Sequence, residues 1–102
     1  MRKVTQTIAN AFAQGNKMTI GNTATDGNAV YLHGNKIAER TNDGILMTLA
    51  GWNTTTTRER LNGIAQVLGL DASFTQKDFK PYLKGYMIRD DDWHHVLPLA
   101  HG

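Results

Sequence analysis

The stretch Ala29-Val30-Tyr31-Leu32-His33-Gly34-Asn35-Lys36-Ile37-Ala38-Glu39-Arg40 decides the fold. Two runs with strand character flank Gly34-Asn35. A Gly-Asn pair between such runs signals a type II′ hairpin, with glycine in the first central position. That loop sets Leu32 opposite Ile37, with both side chains on one face.

Working outward, the same pattern repeats. Upstream, Met18 to Thr25 reads as one Thr-rich strand, followed by a turn at Asp26-Gly27-Asn28. Downstream, Thr41-Asn42-Asp43-Gly44 is the next turn. Ile45 to Leu49 is a further strand, with Ile45, Met47 and Leu49 on one side. Antiparallel strands joined by tight turns make a β-meander.

Helices flank the meander. Val4, Ile8 and Phe12 recur at the spacing of one helix face. Gly15-Asn16 then ends that helix with a left-handed cap. After Ala50-Gly51-Trp52, Thr56 and Glu59 have the spacing of a Thr-x-x-Glu capping box. Leu61, Ile64, Ala65 and Leu68 continue on one helical face, and Gly69 stops the helix. Gly63 inside it costs about 1 kcal/mol relative to alanine, so a close packing neighbour is expected.

In the last third, Phe74 to Phe79 reads as a strand. Pro81 cannot donate to a ladder and belongs at an edge or a strand start. Tyr82 to Ile88 forms a short hairpin around Lys84-Gly85. Asp90-Asp91-Asp92 is a solvated turn, and Trp93 returns to the core. The whole is an α+β domain over residues 1–102. It is an antiparallel β-meander with an N-terminal helix and a second helix after the third or fourth strand. One or two short strands close it, and the helices lie on one face of the sheet.

Composition narrows the function classes. Of 102 residues, 40% are hydrophobic and 20% charged, which is globular. The absence of cysteine excludes disulfides and thiolate chemistry and fits a reducing compartment. The opening Met1 to Gln6 is polar, unlike a signal peptide. No apolar run approaches the roughly 20 residues of a membrane span. The net charge of +2 permits a polyanionic partner without demanding one.

Two segments carry candidate chemistry. The first runs from Trp52 to Arg60. Four consecutive threonines, Thr54 to Thr57, precede Arg58 and Arg60 at a helix start. A helix N-terminus offers free N–H groups and a positive dipole end. Hydroxyls and guanidinium forks add phosphate donors, and Trp52 offers a stacking face. The plainer reading has Thr56 as the cap, Trp52 in the core and the other threonines solvated. In the second segment Lys77, Lys80, Lys84 and Arg89 interleave with Phe79, Tyr82 and Tyr86. Such a mixture grips single-stranded nucleic acid, or merely protects an edge strand. The candidate binding residues are Trp52, Thr54, Thr55, Thr57, Arg58, Arg60, Lys77, Lys80, Tyr82 and Lys84.

Catalysis has little to draw on. Ser73 is the only serine, and there is neither a nucleophile elbow nor a P-loop. Asp90, Asp91, Asp92, His94 and His95 match no metal-ligand frame. No enzyme activity, cofactor or metal is expected.

Three phrases resemble a recurring family of small proteins encoded by tailed bacteriophages. They are Gly21-Asn22-Thr23, Leu32-His33-Gly34-Asn35-Lys36-Ile37-Ala38, and the run from Ala50-Gly51-Trp52 to Asn62-Gly63. Order and spacing are similar from Ala11 to about Ile64. Tyr82-Leu83-Lys84-Gly85 and Trp93 are similar to the family's closing motif, and Pro81 and the triple aspartate depart from it. The resemblance implies phage origin, an accessory role and residence in the host bacterial cytoplasm. The resulting expectation is a binding protein for nucleic acid or for host nucleic-acid machinery. The alternatives are a host-defence inhibitor that sequesters a small nucleotide or blocks an enzyme, and a virion-associated structural protein. A homo-oligomer through a sheet edge is compatible with each.

Overall fold

The computed structural model describes residues 1–100 and has the expected α+β architecture. Helix α1 spans Lys3–Ala13. Strands β1 (Met18–Ile20), β2 (Thr23–Thr25), β3 (Ala29–Leu32), β4 (Asn35–Arg40) and β5 (Ile45–Met47) form an antiparallel meander. Helix α2 (Thr55–Leu68) follows, then a small sheet of β6 (Phe74–Lys77), β7 (Lys80–Leu83) and β8 (Tyr86–Met87). Strand β9 (His94–Val96) returns to pair with β5, so the main sheet runs β1-β2-β3-β4-β5-β9.

The meander has one strand more than the sequence reading because Gly21-Asn22 is a turn. Ile20 pairs with Thr23, which divides Met18 to Thr25 into a hairpin. Gly21 takes a left-handed φ of 58°, a conformation open to glycine at no steric cost. The second helix therefore follows the fifth strand. Four short strands close the chain, where one or two were expected.

The central hairpin also shifts by one residue. Leu32 pairs with Asn35, so His33-Gly34 is the loop and Asn35 opens β4. Both loop residues have positive φ, 51° and 78°, as a type I′ turn requires and type II′ does not. A β-bulge absorbs the shift. Val30 pairs with Ala38 and Tyr31 with Lys36, which leaves Ile37 as the extra residue. Consecutive Ile37 and Ala38 are thus both buried, at 1% and 0% exposure. Without the bulge, strand alternation would turn one of them outward.

Pro81 lies inside β7, the middle strand of the small sheet. Its ladder partner on β6 is Gln76, and its carbonyl accepts from Ile88 N, past the end of β8. The missing donor therefore falls where the β8 ladder has already stopped. Trp93 precedes the first ladder residue of β9 and remains 46% exposed; Val96 supplies the core contact instead.

The core lies between the main sheet and the two helices. Ile8 and Phe12 of α1 and Leu61, Ile64 and Ala65 of α2 meet Val30, Ile37, Met47 and Leu49. Helix α1 ends in a Schellman motif. Asn16 N donates to Ala11 O and Gly15 N to Phe12 O, with Gly15 left-handed. Arg40 reaches across from β4, its guanidinium 4.6 Å from the Phe12 ring centroid and bonded to the Phe12 carbonyl. A cation at a helix C-terminus complements the dipole. Asn62 holds the small sheet to α2 by donating to Phe74 O (2.9 Å) and accepting from Phe74 N (2.7 Å).

A buried polar network fastens α1 to α2. Arg60 donates to Thr5 Oγ1 (2.7 Å), Thr23 Oγ1 (3.0 Å) and Glu59 Oε1 (2.6 Å). The Thr5 hydroxyl donates in turn to Glu59, which also accepts from Arg2 N at 3.1 Å. Arg2 is the N-cap of α1. Glu59 thus performs from a neighbouring helix what the last residue of a capping box performs within one. Partial burial alone pushes the Glu59 carboxyl up. The bonds from Thr5, Arg2 and Arg60 outweigh it and leave the group below the usual glutamate value.

Gly63 is the close-packing position the sequence pointed to. A Cβ there would collide with Thr5 Cγ2, and Thr5 is itself buried. Gly63→Ala should lower thermal stability despite a helix-propensity gain of about 1 kcal/mol, because overpacking costs about 1–3 kcal/mol. Thr5→Ser removes the obstructing methyl and keeps the hydroxyl. The double variant should recover most of the lost Tm in a thermal melt. Glu59→Gln should cost about 3 kcal/mol at neutral pH by leaving Arg60 without its counter-charge. A carboxylate held below its unfolded value stabilises the fold fully above about pH 4.3, and the contribution fades as pH falls through the native value. The stability difference between wild type and Glu59→Gln, followed by denaturant titration, should therefore shrink on acidification.

Candidate functional site

The chain leaves β5 through Ala50-Gly51, both left-handed at φ 55° and 83°. Gly51 N donates to Asp90 O and Trp52 N to Leu49 O, which fixes the reversal. This delivers Trp52 to the surface, 59% exposed, and not to the core. A positive φ at alanine stores strain, and such strain clusters where a backbone is held for a purpose.

The threonine run divides its roles. Thr54, not Thr56, is the N-cap of α2; its Oγ1 accepts from Thr57 N at 3.1 Å. The Thr54 and Thr57 hydroxyls also bond each other at 2.8 Å, and Thr57 is buried. Thr55 stays exposed and accepts a 3.4 Å bond from Arg58. With the helix starting at Thr55, Glu59 lies too far along to close a capping box, which frees it for α1.

The two arginines part company. Arg60 is 5% exposed and fully engaged inside the fold, so it is not available to a surface ligand. Arg58 stays near the surface and bonds Asn53 Oδ1 and Gln76 Oε1, the latter at 3.1 Å. Asn53 Nδ2 donates to Gln76 Oε1 (3.3 Å) and to Phe79 O (3.2 Å). These bonds pin the tip of the β6–β7 hairpin against the segment that follows Trp52.

That tip is Asp78-Phe79, with φ of 52° and 64°. A bulky residue seldom takes this conformation. Phe79 is nonetheless 89% exposed, so no burial compensates the strain. Lys77 and Lys80 form the closing pair of the turn and are exposed. Tyr82 is half-buried two rungs further down, opposite Thr75. Lys84 sits at the far turn and pairs with Asp71. The fold therefore ties Arg58, with its partner Thr55, to the Lys77–Lys80 turn that carries Phe79, and sets Trp52 beside Asn53 in the chain. It sets Lys84 apart and turns Arg60 and Thr57 inward.

A cavity of about 570 Å³ adjoins Trp52. Leu32, Ile37, Leu49 and Ala50 line it with apolar surface, joined by His33, Asn35, Thr54, Thr56 and Thr57. Two stretches distant in sequence, 32–37 and 49–57, thus meet at one concavity. His33 is held from behind. Its backbone N donates to Asn22 O (2.8 Å), and its Nε2 lies 3.3 Å from Asn22 Nδ2. Asn22 Oδ1 already accepts from Thr23 Oγ1, so the amide N faces the ring.

Elsewhere the acidic turn is internally paired. Arg89 grips Asp91 through two bonds of 3.1 Å, and His95 lies 3.0 Å from Asp43. Among the described residues, no three of His, Cys, Asp and Glu come together as a metal site. Among the described residues, no helix is long and apolar enough to cross a membrane.

Sequence reasoning placed Phe79 in the basic and aromatic segment but missed His33, Asn35, Asn53 and Gln76 as parts of this region. His33 reads in the sequence as a strand residue beside the Gly34-Asn35 turn, and only the shifted register brings it into the loop. For Asn53 and Gln76 there was no signal, because their pairing depends on how the small sheet docks.

Nothing among curated proteins or among solved structures matches the chain. The Kyanoviridae Gp96 protein family does, over residues 1–98. That span takes in both helices and all nine strands, well beyond the middle half on which the bacteriophage resemblance rests. The chain belongs to this cyanophage family, the Kyanoviridae Gp96 proteins.

Proposed function

We propose that this phage protein is an accessory binding protein for single-stranded nucleic acid, acting in the host cytoplasm without catalysis. The observation that carries the reading is Phe79. It is an aromatic held almost fully in solvent on a strained turn, tied in place by Asn53 and flanked by Lys77 and Lys80. The exposed ring buries nothing that would stabilise the fold, whereas a stacking platform needs an open ring. A base has a π-face that stacks on an exposed ring whatever its identity, contributing about 1–3 kcal/mol. Trp52, the residue before Asn53, supplies a second exposed ring. Arg58, Lys77 and Lys80 supply cations for the phosphates between stacked bases. Three cations suit a moderate affinity that depends on salt, in keeping with the small net charge.

Binding of labelled single-stranded oligonucleotides at several salt concentrations tests this. Neutralising about three phosphates on a single strand should give a log–log salt slope near −2. Lys77→Ala with Lys80→Ala should flatten that slope by roughly 1 to 1.5. Phe79→Gly should weaken binding about tenfold, while Tm holds or rises because glycine relaxes the left-handed turn. Absent or salt-independent binding would overturn the proposal.

A further inference from the structure

We infer that the cavity beside Trp52 is a nucleobase pocket, so that the protein distinguishes among bases as well as gripping the strand. This rests on the strand-binding reading for its context, but the argument comes from the cavity.

The volume of about 570 Å³ falls within the roughly 300–1,000 Å³ of small-molecule sites. Its chemistry fits a flat heteroaromatic ring. The wall of Leu32, Ile37, Leu49 and Ala50 offers apolar contact to ring faces. Trp52 at the mouth offers a stacking surface, and its exposure leaves that surface open. Polar groups from two separate stretches join the apolar residues in the lining. Asn35 brings an amide that both donates and accepts, the combination that reads a base edge in two bonds. His33 brings an imidazole whose Nε2 lies 3.3 Å from Asn22 Nδ2. Thr56 carries a hydroxyl with only a marginal 3.5 Å bond from Arg2. No acidic side chain lines the cavity, so nothing there repels the phosphate attached to the base.

The pocket walls are fixed before any ligand arrives. Ala50 and His33 are both non-glycine residues at positive φ, and both line it. Asn22 anchors His33 through backbone and side chain together. A preorganised pocket loses little freedom on binding and can discriminate between ring shapes.

The test uses tryptophan emission. The chain has two tryptophans, so Trp93→Phe leaves Trp52 as the sole reporter. In that background, free mononucleotides of each base and single-stranded homopolymers are titrated, with an abasic oligonucleotide as control. Saturable quenching by mononucleotides, with affinities spread at least fivefold across the bases, is the expected result. Thr56→Phe, at the cavity mouth on the first turn of α2, should abolish that spread while the salt-dependent strand binding of labelled oligonucleotides persists. Equal affinity for all homopolymers, with weaker binding of the abasic strand and no mononucleotide quenching, would overturn the pocket and leave strand binding intact. Mononucleotide quenching without strand binding would uphold the pocket and overturn the strand reading, pointing to nucleotide capture. Loss of both signals would overturn both.

Discussion

Arg60 places a full positive charge between α1, α2 and β2, and the packing around it has to satisfy that charge. Removing a guanidinium from water is costly unless its donors are met. Three different elements meet them: Thr5 from α1, Thr23 from β2 and Glu59 from α2 itself. Each partner then does a second task. Glu59 caps α1, Thr5 sets how closely the helices approach over Gly63, and Thr23 passes the chain of bonds on to Asn22. Asn22 in turn holds His33. One buried charge therefore fixes the helix pair, the first hairpin and part of the cavity lining together.

The sequence conveyed the element types better than their joints. Apolar spacing marked both helices, because a buried stripe recurs with the helical period whatever lies opposite. Turn residues marked the meander. The register of the central hairpin was not legible, since Gly34-Asn35 also suits a loop one residue earlier once a bulge at Ile37 is allowed. The same Gly-Asn signal at Gly21-Asn22 went unread inside a run of threonines. Helix α2 started two residues early, because Thr54 and Thr56 are equally good caps by type and only the fold chooses.

The candidate site was legible in parts. Trp52 and Arg58 stand where a ligand can reach them, and Arg60, two residues along the same helix, does not. No local pattern separates those two arginines; the distinction comes from α1 packing on the far side. The tie from Arg58 and Asn53 to Gln76 and Phe79 joins elements about twenty residues apart, and it exists only because the small sheet docks on α2 through Asn62. Cavity lining gathered from two distant stretches is likewise a property of topology.

The placement of β9 has a consequence for synthesis. Strand β5 gains its second neighbour only from residues 94–96, after α2 and the small sheet have been made. Until those residues leave the ribosome, Ile45–Met47 presents an unpaired edge. Exposed edges are templates for wrong pairing between chains. A nascent chain that stalls before β9 is therefore at risk of aggregating through this edge.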